Sequence, residues 1–241
     1  MDFVENKKYL FQCFNNTNKP HRYGILSLLK HNNLLQYVDY SLLRPKDFFP
    51  PTNYHESFIR HIFSLEMCEK IYDDYCFILN KGIPKYIESE GEFIIDKSNK
   101  MPDNSKYHKN NPYKNAYINI VTESQYEFEN LVHITEKTVQ PFYYSQIPIF
   151  VSAPLTIKNL KKYYDFDFFD DFINHSYDNE TNPEKRMLMI VDEIKRLSEN
   201  PEKIKNFYVS NKHRLLENQK KVELLSKSKH KISEVIKKVL I

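Results

Sequence analysis

Glycine is nearly absent, at three residues in 241. That scarcity excludes the glycine-rich phosphate loops of P-loop and dinucleotide-binding proteins, whose backbone amides must approach phosphate closely. Any phosphate has to be held by side chains and helix ends. Tryptophan is missing altogether, so the 15% aromatic content is tyrosine and phenylalanine. The three cysteines, Cys13, Cys68 and Cys76, form neither a CxxC pair nor a zinc-ligand spacing. They fit a reducing compartment, with Cys13 as a small core residue inside an apolar run. No apolar run approaches the roughly 20 residues of a membrane span. The segment Met1-Asp2-Phe3-Val4-Glu5-Asn6-Lys7-Lys8 lacks the apolar centre of a signal peptide. The expected location is therefore cytoplasmic.

What remains is a globular composition, 41% hydrophobic and 28% charged, long enough for one large domain or two small lobes. The net charge of +3 is unevenly spread. From Lys203 onward eleven Lys and Arg stand against Glu217, Glu223 and Glu234. Such a tail suits a nucleic acid or an anionic membrane surface, and equally the solvated face of a terminal helix.

Along the chain, Tyr9 to Phe14 reads as a buried strand that stops at Asn15-Asn16-Thr17-Asn18-Lys19-Pro20, and His21 to Leu35 has helical spacing. Residues 36 to 58 read as irregular because of Pro45, Pro50 and Pro51. Ser57 to Ile78 is helical, and 96 to 115 is a mobile loop. A clearer α/β stretch follows. Ala116 to Thr122 is a strand, Glu136 to Ser145 a helix, Pro148 to Ala153 a strand and Leu155 to Tyr163 a helix. Pro183 to Ser198 is amphipathic, and Pro201 opens the next helix. Strands alternating with helices imply an α/β fold with a mostly parallel, Rossmann-like sheet and a helical C-terminal tail.

In such sheets ligands bind beyond the carboxyl ends of the strands. Three groups fall there: Asn15 with His21 and Arg22, then Glu123, then Thr135 with Glu136 and Lys137. In His133-Ile134-Thr135-Glu136-Lys137-Thr138, Thr135 is an N-cap candidate and Glu136 suits the positive end of the helix dipole, whereas Lys137 does not. An ammonium in a helix's first turn makes sense if an anion sits there too. Arg22 and Lys137 would then form a diphosphate clamp without a metal, and Glu123 would bind a ribose hydroxyl or act as a base. Asp165-Phe166-Asp167 mimics a metal-binding Asp-x-Asp motif, but it follows Lys161-Lys162-Tyr163-Tyr164 instead of ending an apolar strand. Asp165 to Ile173 is read as a half-buried helix packing its phenylalanines.

Thr135-Glu136-Lys137, an aromatic-containing helix, and Ile147-Pro148-Ile149-Phe150 with Ala153-Pro154 together resemble the donor-binding half of the α-1,3-fucosyltransferases, over roughly residues 116 to 175. The chain also resembles small glycosyltransferase-like proteins of phages, large viruses and some bacteria, through Phe14-Asn15, His21-Arg22, Ser176-Tyr177-Asp178 and Pro183-Glu184-Lys185-Arg186. The resemblance implies a GT-B fold with a reduced N-terminal acceptor lobe (1–115) and a donor-binding portion with C-terminal helices (116–241). It implies an inverting glycosyltransferase that needs no metal or other cofactor, taking a nucleotide-sugar donor and a glycan or modified-nucleic-acid acceptor. Lys137 would contact the diphosphate with Arg22's help, Asn15 and Thr135 would line the donor site, and Glu123 or Glu136 would bind the nucleotide's sugar. A carboxylate or His21 would deprotonate the acceptor. Two alternatives are a transferase acting on hydroxymethylated DNA bases and a non-catalytic module on a degenerate transferase fold. Asn15-Asn16-Thr17 lacks the arginines expected after this strand in such relatives.

Overall fold

A computed structural model of the chain describes residues 3–15, 19–42, 59–81, 112–127 and 134–227. Among these, four strands form one parallel sheet: β1 (Tyr9–Asn15), β2 (Val38–Leu42), β3 (Ala116–Thr122) and β4 (Ile147–Val151), in the order β2-β1-β3-β4. Every residue of β3 and β4 is buried, as strands covered on both faces must be. The register pairs Gln12 with Asn119. A rung of amides accompanies that pairing. Asn119 Nδ2 donates to Gln146 Oε1 at 2.8 Å, and Gln146 Nε2 donates to Gln12 Oε1 and to the Ala116 carbonyl, both at 3.1 Å. A one-residue slip would strand these buried amides, so they specify the register.

Eight helices surround the sheet among the described residues. They are α1 (Pro20–His31), α2 (Leu65–Lys70), α3 (Tyr72–Lys81), α4 (Glu136–Tyr143), α5 (Thr156–Tyr164), α6 (Pro183–Ser198), α7 (Pro201–Ser210) and α8 (Lys212–Ser226). α1 joins β1 to β2, whereas α4 joins β3 to β4 in the other direction along the sheet. Right-handed crossovers therefore put the two helices on opposite faces. Their partners agree with this, since α1 packs on α3 and α6 and α4 packs on α8. The fold is α/β with an all-parallel sheet, compatible with a Rossmann-like arrangement. β1 and β2 come from the chain before residue 116 and β3 and β4 from the chain after it, and all four share this one sheet.

Most expected elements recur with small shifts in their ends, and α6 spans Pro183–Ser198 as read. The helical stretch read over Ser57 to Ile78 instead divides at Ile71 into α2 and α3, and begins, as regular helix, at Leu65. Two further expectations are corrected. The stretch read as irregular from residue 36 contains β2, whose Val-Asp-Tyr-Ser-Leu sequence lacks an apolar run because it lies at the sheet's margin. Residues 165–173 are not a helix. Asp165 and Phe169 both take left-handed backbone conformations, and Asp167 Oδ1 accepts from the Phe169 amide at 2.8 Å. A short acidic side chain that bonds its own backbone competes with the helix ladder. The phenylalanines of that segment (Phe166, Phe168, Phe169 and Phe172) are nevertheless buried, as expected. Pro45, Pro50, Pro51 and the 96–111 part of the expected loop lie outside the described residues.

α1 is seated by a close approach. A β-carbon on Gly24 would stand 2.8 Å from Cε2 of the buried Phe63 ring. Gly24→Leu is therefore expected to lower unfolding free energy by about 2 kcal/mol through overpacking, measured as a fall in urea midpoint. An unchanged midpoint would show that α1 does not depend on this seat.

Candidate functional site

The order β2-β1-β3-β4 reverses direction between β1 and β3, and such a switch point leaves a crevice at the strands' carboxyl ends. Asn15 and Thr122 are the last residues of those two strands, and the Thr122 hydroxyl donates to Asn15 Oδ1. Three side chains from the start of α1 then reach three successive carbonyls at the exit of β3. Arg22 Nη2 donates to Thr122 O at 3.2 Å, His21 Nε2 to Glu123 O at 2.8 Å, and Lys19 Nζ to Ser124 O at 2.6 Å. A carbonyl only accepts, so the His21 proton sits on Nε2.

From the other face comes α4. Thr135 is its N-cap, as expected, and its hydroxyl accepts from the Lys137 amide at 3.2 Å. Thr138 completes a capping box by accepting from the Thr135 amide at 3.0 Å. Both hydroxyls donate to Glu123, Thr135 to Oε2 at 2.8 Å and Thr138 to Oε1. The Ser124 amide adds a longer contact to the same carboxylate, at 3.3 Å. Lys137 Nζ pairs with Glu136 Oε1 at 3.1 Å.

All seven expected site residues, Asn15, His21, Arg22, Glu123, Thr135, Glu136 and Lys137, thus gather at one place. His133, Asn16 and Thr17 lie outside the described residues. Lys19, Thr122 and Thr138 belong to the same constellation and were not singled out from sequence. A basic residue directly before the Pro that opens a helix, and a Thr at the third helical position after a Thr cap, are the signals that could have found two of them.

The electrostatics follow from burial. Desolvation, helped by the charges of Arg22 and Lys137, lowers the Lys19 pKa, so the three cations share one neighbourhood. Desolvation also lowers Arg22, opposed by Cys13 and then by Glu123 and Glu136. The Glu123 carboxyl, 1% exposed, is raised by burial despite its threonine donors. His21 is pushed down to about 3, first by burial and then by the adjacent Arg22. It is a neutral imidazole at physiological pH, stacked on Tyr126 with ring centroids 5.4 Å apart.

The residues of the two further motifs are fixed by bonds to neighbouring elements, Arg186 beside the Tyr126 ring on which His21 stacks. The Arg186 guanidinium lies 4.4 Å from the centre of the Tyr126 ring and donates to the Tyr126, Glu180 and Thr181 carbonyls. Asp178 receives the Ile157 and Lys158 amides at 3.0 and 2.9 Å, capping α5. Tyr177 accepts from the Phe150 amide of β4 at 3.2 Å. A separate cleft of about 800 Å³ runs beside α5, lined by residues including Lys161, Asp170, His175, Ser176, Asp178 and Arg196. Its Lys161 pairs with Asp170 and its Arg196 with Glu193, both at 2.5 Å. The switch-point crevice, with cations from two opposed helices, is the better candidate.

Asp167, half of the Asp-x-Asp look-alike, accepts from Arg214 and the Asn218 side chain accepts from the Asp167 amide. No helix among the described residues is long and apolar enough to cross a membrane. The structure defines an α/β protein with a parallel sheet and a cation-lined switch point. No family model, curated protein or solved structure matches the chain.

His21 gives a pH prediction. Its ordinary pKa of 6.5 applies in the unfolded chain and about 3 in the folded one, so the unfolded state binds more protons between those values. Stability is then lost as pH falls below 6.5, by about 1.4 kcal/mol per pH unit. The raised carboxyls of Glu123 and Asp178 act in the opposite sense. His21→Gln keeps a donor for the Glu123 carbonyl and is expected to flatten the acid loss, read from urea denaturation at pH 6.5 and 4.5. Parallel curves for variant and parent would contradict a buried neutral His21.

Proposed function

We propose that the chain is a glycosyltransferase that binds the diphosphate of a nucleotide-activated sugar at the β1–β3 crevice. The carrying observation is that Lys19 and Arg22 from the start of α1 and Lys137 from the first turn of α4 converge there, on a fold with almost no glycine. Against them stand Glu123 and Glu136, which leaves one net positive charge facing the ligand position. A diphosphate leaving group needs such charge, and preorganised cations in a partly desolvated site are effective in supplying it. The sequence resemblance to α-1,3-fucosyltransferases supports the same reading and extends it to a GT-B-type, inverting enzyme acting in the cytoplasm.

In the proposed reaction an acceptor hydroxyl, on a glycan or a modified base, attacks the anomeric carbon. The bond from that carbon to the diphosphate oxygen breaks, and its electron pair stays on the phosphate, stabilised by Lys19, Arg22 and Lys137. The hydroxyl proton passes to a carboxylate. Glu136, paired with Lys137 and with 28% of its side chain exposed, is the carboxylate that solvent and a ligand can reach for that role or for a contact with the nucleotide's ribose. His21 and Glu123 suit positioning better than proton transfer, because each is buried and committed to hydrogen bonds.

That commitment favours a second reading, a nucleotide-sugar-binding module without transfer. Binding and turnover separate the two. A nucleotide sugar at about 100 times its Kd should raise stability by about 2.7 kcal/mol, seen as a thermal shift. Lys137→Ala should cut any transfer or donor hydrolysis roughly a hundredfold. Thermal shift without product would leave the module, and full activity in Lys137→Ala would sink the assignment of the site.

A further inference from the structure

Each hydroxyl at the start of α4 has one proton and two lone pairs. Thr135 spends its proton on Glu123 Oε2 and its lone pair on the Lys137 amide. Thr138 spends its proton on Glu123 Oε1 and its lone pair on the Thr135 amide. One carboxylate thus takes both protons and leaves both oxygens facing the helix's orphan N–H groups. Only an ionised Asp or Glu offers two acceptors and no donor in this way. The backbone of Glu123 is equally engaged. Its amide donates to the Val151 carbonyl at 3.0 Å, and its carbonyl receives the His21 ring. A single residue therefore touches β4, α1 and α4.

We propose that Glu123 is a positioning residue whose carboxylate orients the threonine cap of α4, and so places the Lys137 ammonium opposite Lys19 and Arg22 without touching the donor. The inference rests on the crevice being the diphosphate site. It also accounts for the charge pattern of α4, where a negative group at the helix start is favourable to the dipole. Glu123 supplies that group from the neighbouring strand, so α4 is already electrostatically complete. The ligand's phosphates are then held by side-chain cations and not by the α4 amides.

Isothermal titration of the full chain with inorganic pyrophosphate separates positioning from simple charge. By Coulomb's law, deleting a carboxylate beside an anion site tightens anion binding. Positioning requires the opposite. In Glu123→Gln an amide must donate to one hydroxyl, whose own proton then turns against the helix amides, and pyrophosphate binding is expected to weaken roughly tenfold. In a Lys137→Ala background the same substitution should cease to weaken binding, because no ammonium remains to be placed, and this non-additivity identifies the route through Lys137. Unchanged or tighter binding by Glu123→Gln overturns the proposal, as does a loss that persists in the Lys137→Ala background. If Glu123→Gln does not fold, Thr138→Val, which keeps the carboxylate and removes one hydroxyl, takes its place: weaker binding supports the proposal and unchanged binding overturns it. If the unaltered chain does not bind pyrophosphate, the donor reading fails instead. Hydrogen exchange at the Lys137 amide then decides the positioning role alone, faster exchange in the variant supporting it and an unchanged rate overturning it.

Discussion

Because β3 joins the sheet on the side of β1 away from β2, α1 and α4 leave on opposite faces and their N-termini diverge over the strand ends. That geometry creates a gap bordered by two positive helix ends, in which unpaired backbone groups would be expensive. The chain meets the cost by sending side chains across it. Lys19, His21 and Arg22 take the carbonyls at the exit of β3, while Glu123 reaches the cap of α4. The crevice is thus tied together from both sides.

The same arrangement resolves the oddity of a lysine in a helix's first turn. An anion is present there, and it belongs to the protein. Glu136 pairs directly with Lys137, and Glu123 serves the cap. Taken alone, that would make Lys137 a locally satisfied surface residue. What argues otherwise is the company it keeps, since Lys19 and Arg22 crowd the same space and each is held partly desolvated. Three cations sharing a poorly solvated region repel one another, and such repulsion is tolerated where a polyanion relieves it.

Much of this was legible in the sequence. The apolar runs at Tyr9 and Ala116, the cap at Thr135 and the Pro that opens α6 each carry a local physical signal, and the structure follows them. That the seven candidate residues would lie together was legible too, because residue type just beyond a strand is informative in a parallel sheet. What the sequence could not show was who pairs with whom. His21 and Glu123 are 102 positions apart, and nothing local says that one ring must find the other's carbonyl. Hence Glu123 reads as a free base along the chain and as a doubly engaged anchor in space. β2 escaped notice because its middle residues, Asp39, Tyr40 and Ser41, carry no apolar pattern, and the Asp165–Ile173 segment misled because buried phenylalanines at helical spacing say nothing about left-handed residues between them.

The described part of the basic C-terminal region, up to Lys227, and the acidic aromatic segment, two separate oddities along the chain, meet in three dimensions. Arg214 forks onto both Asp167 and Asp171, lies 4.8 Å over the Phe169 ring, and Lys221 reaches Asp165. Asn218 accepts from the Asp167 amide and donates to its carbonyl, stitching α8 to the same loop. Lys205 and Lys212 pair with Glu202 and Glu5. Exposed pairs of this kind contribute little individually, but a bidentate arginine shared by two carboxylates has real directional strength. A nucleic acid approaching α8 would have to displace carboxylates already seated on Arg214, while Lys229, Lys231, Lys237 and Lys238 lie outside the described residues. In the crevice the Lys19 ammonium rests on a neutral carbonyl, an acceptor that a phosphate oxygen outcompetes. The cations available to an anionic ligand are set by what each one already holds, and by that measure Lys19 is more open to one than Arg214.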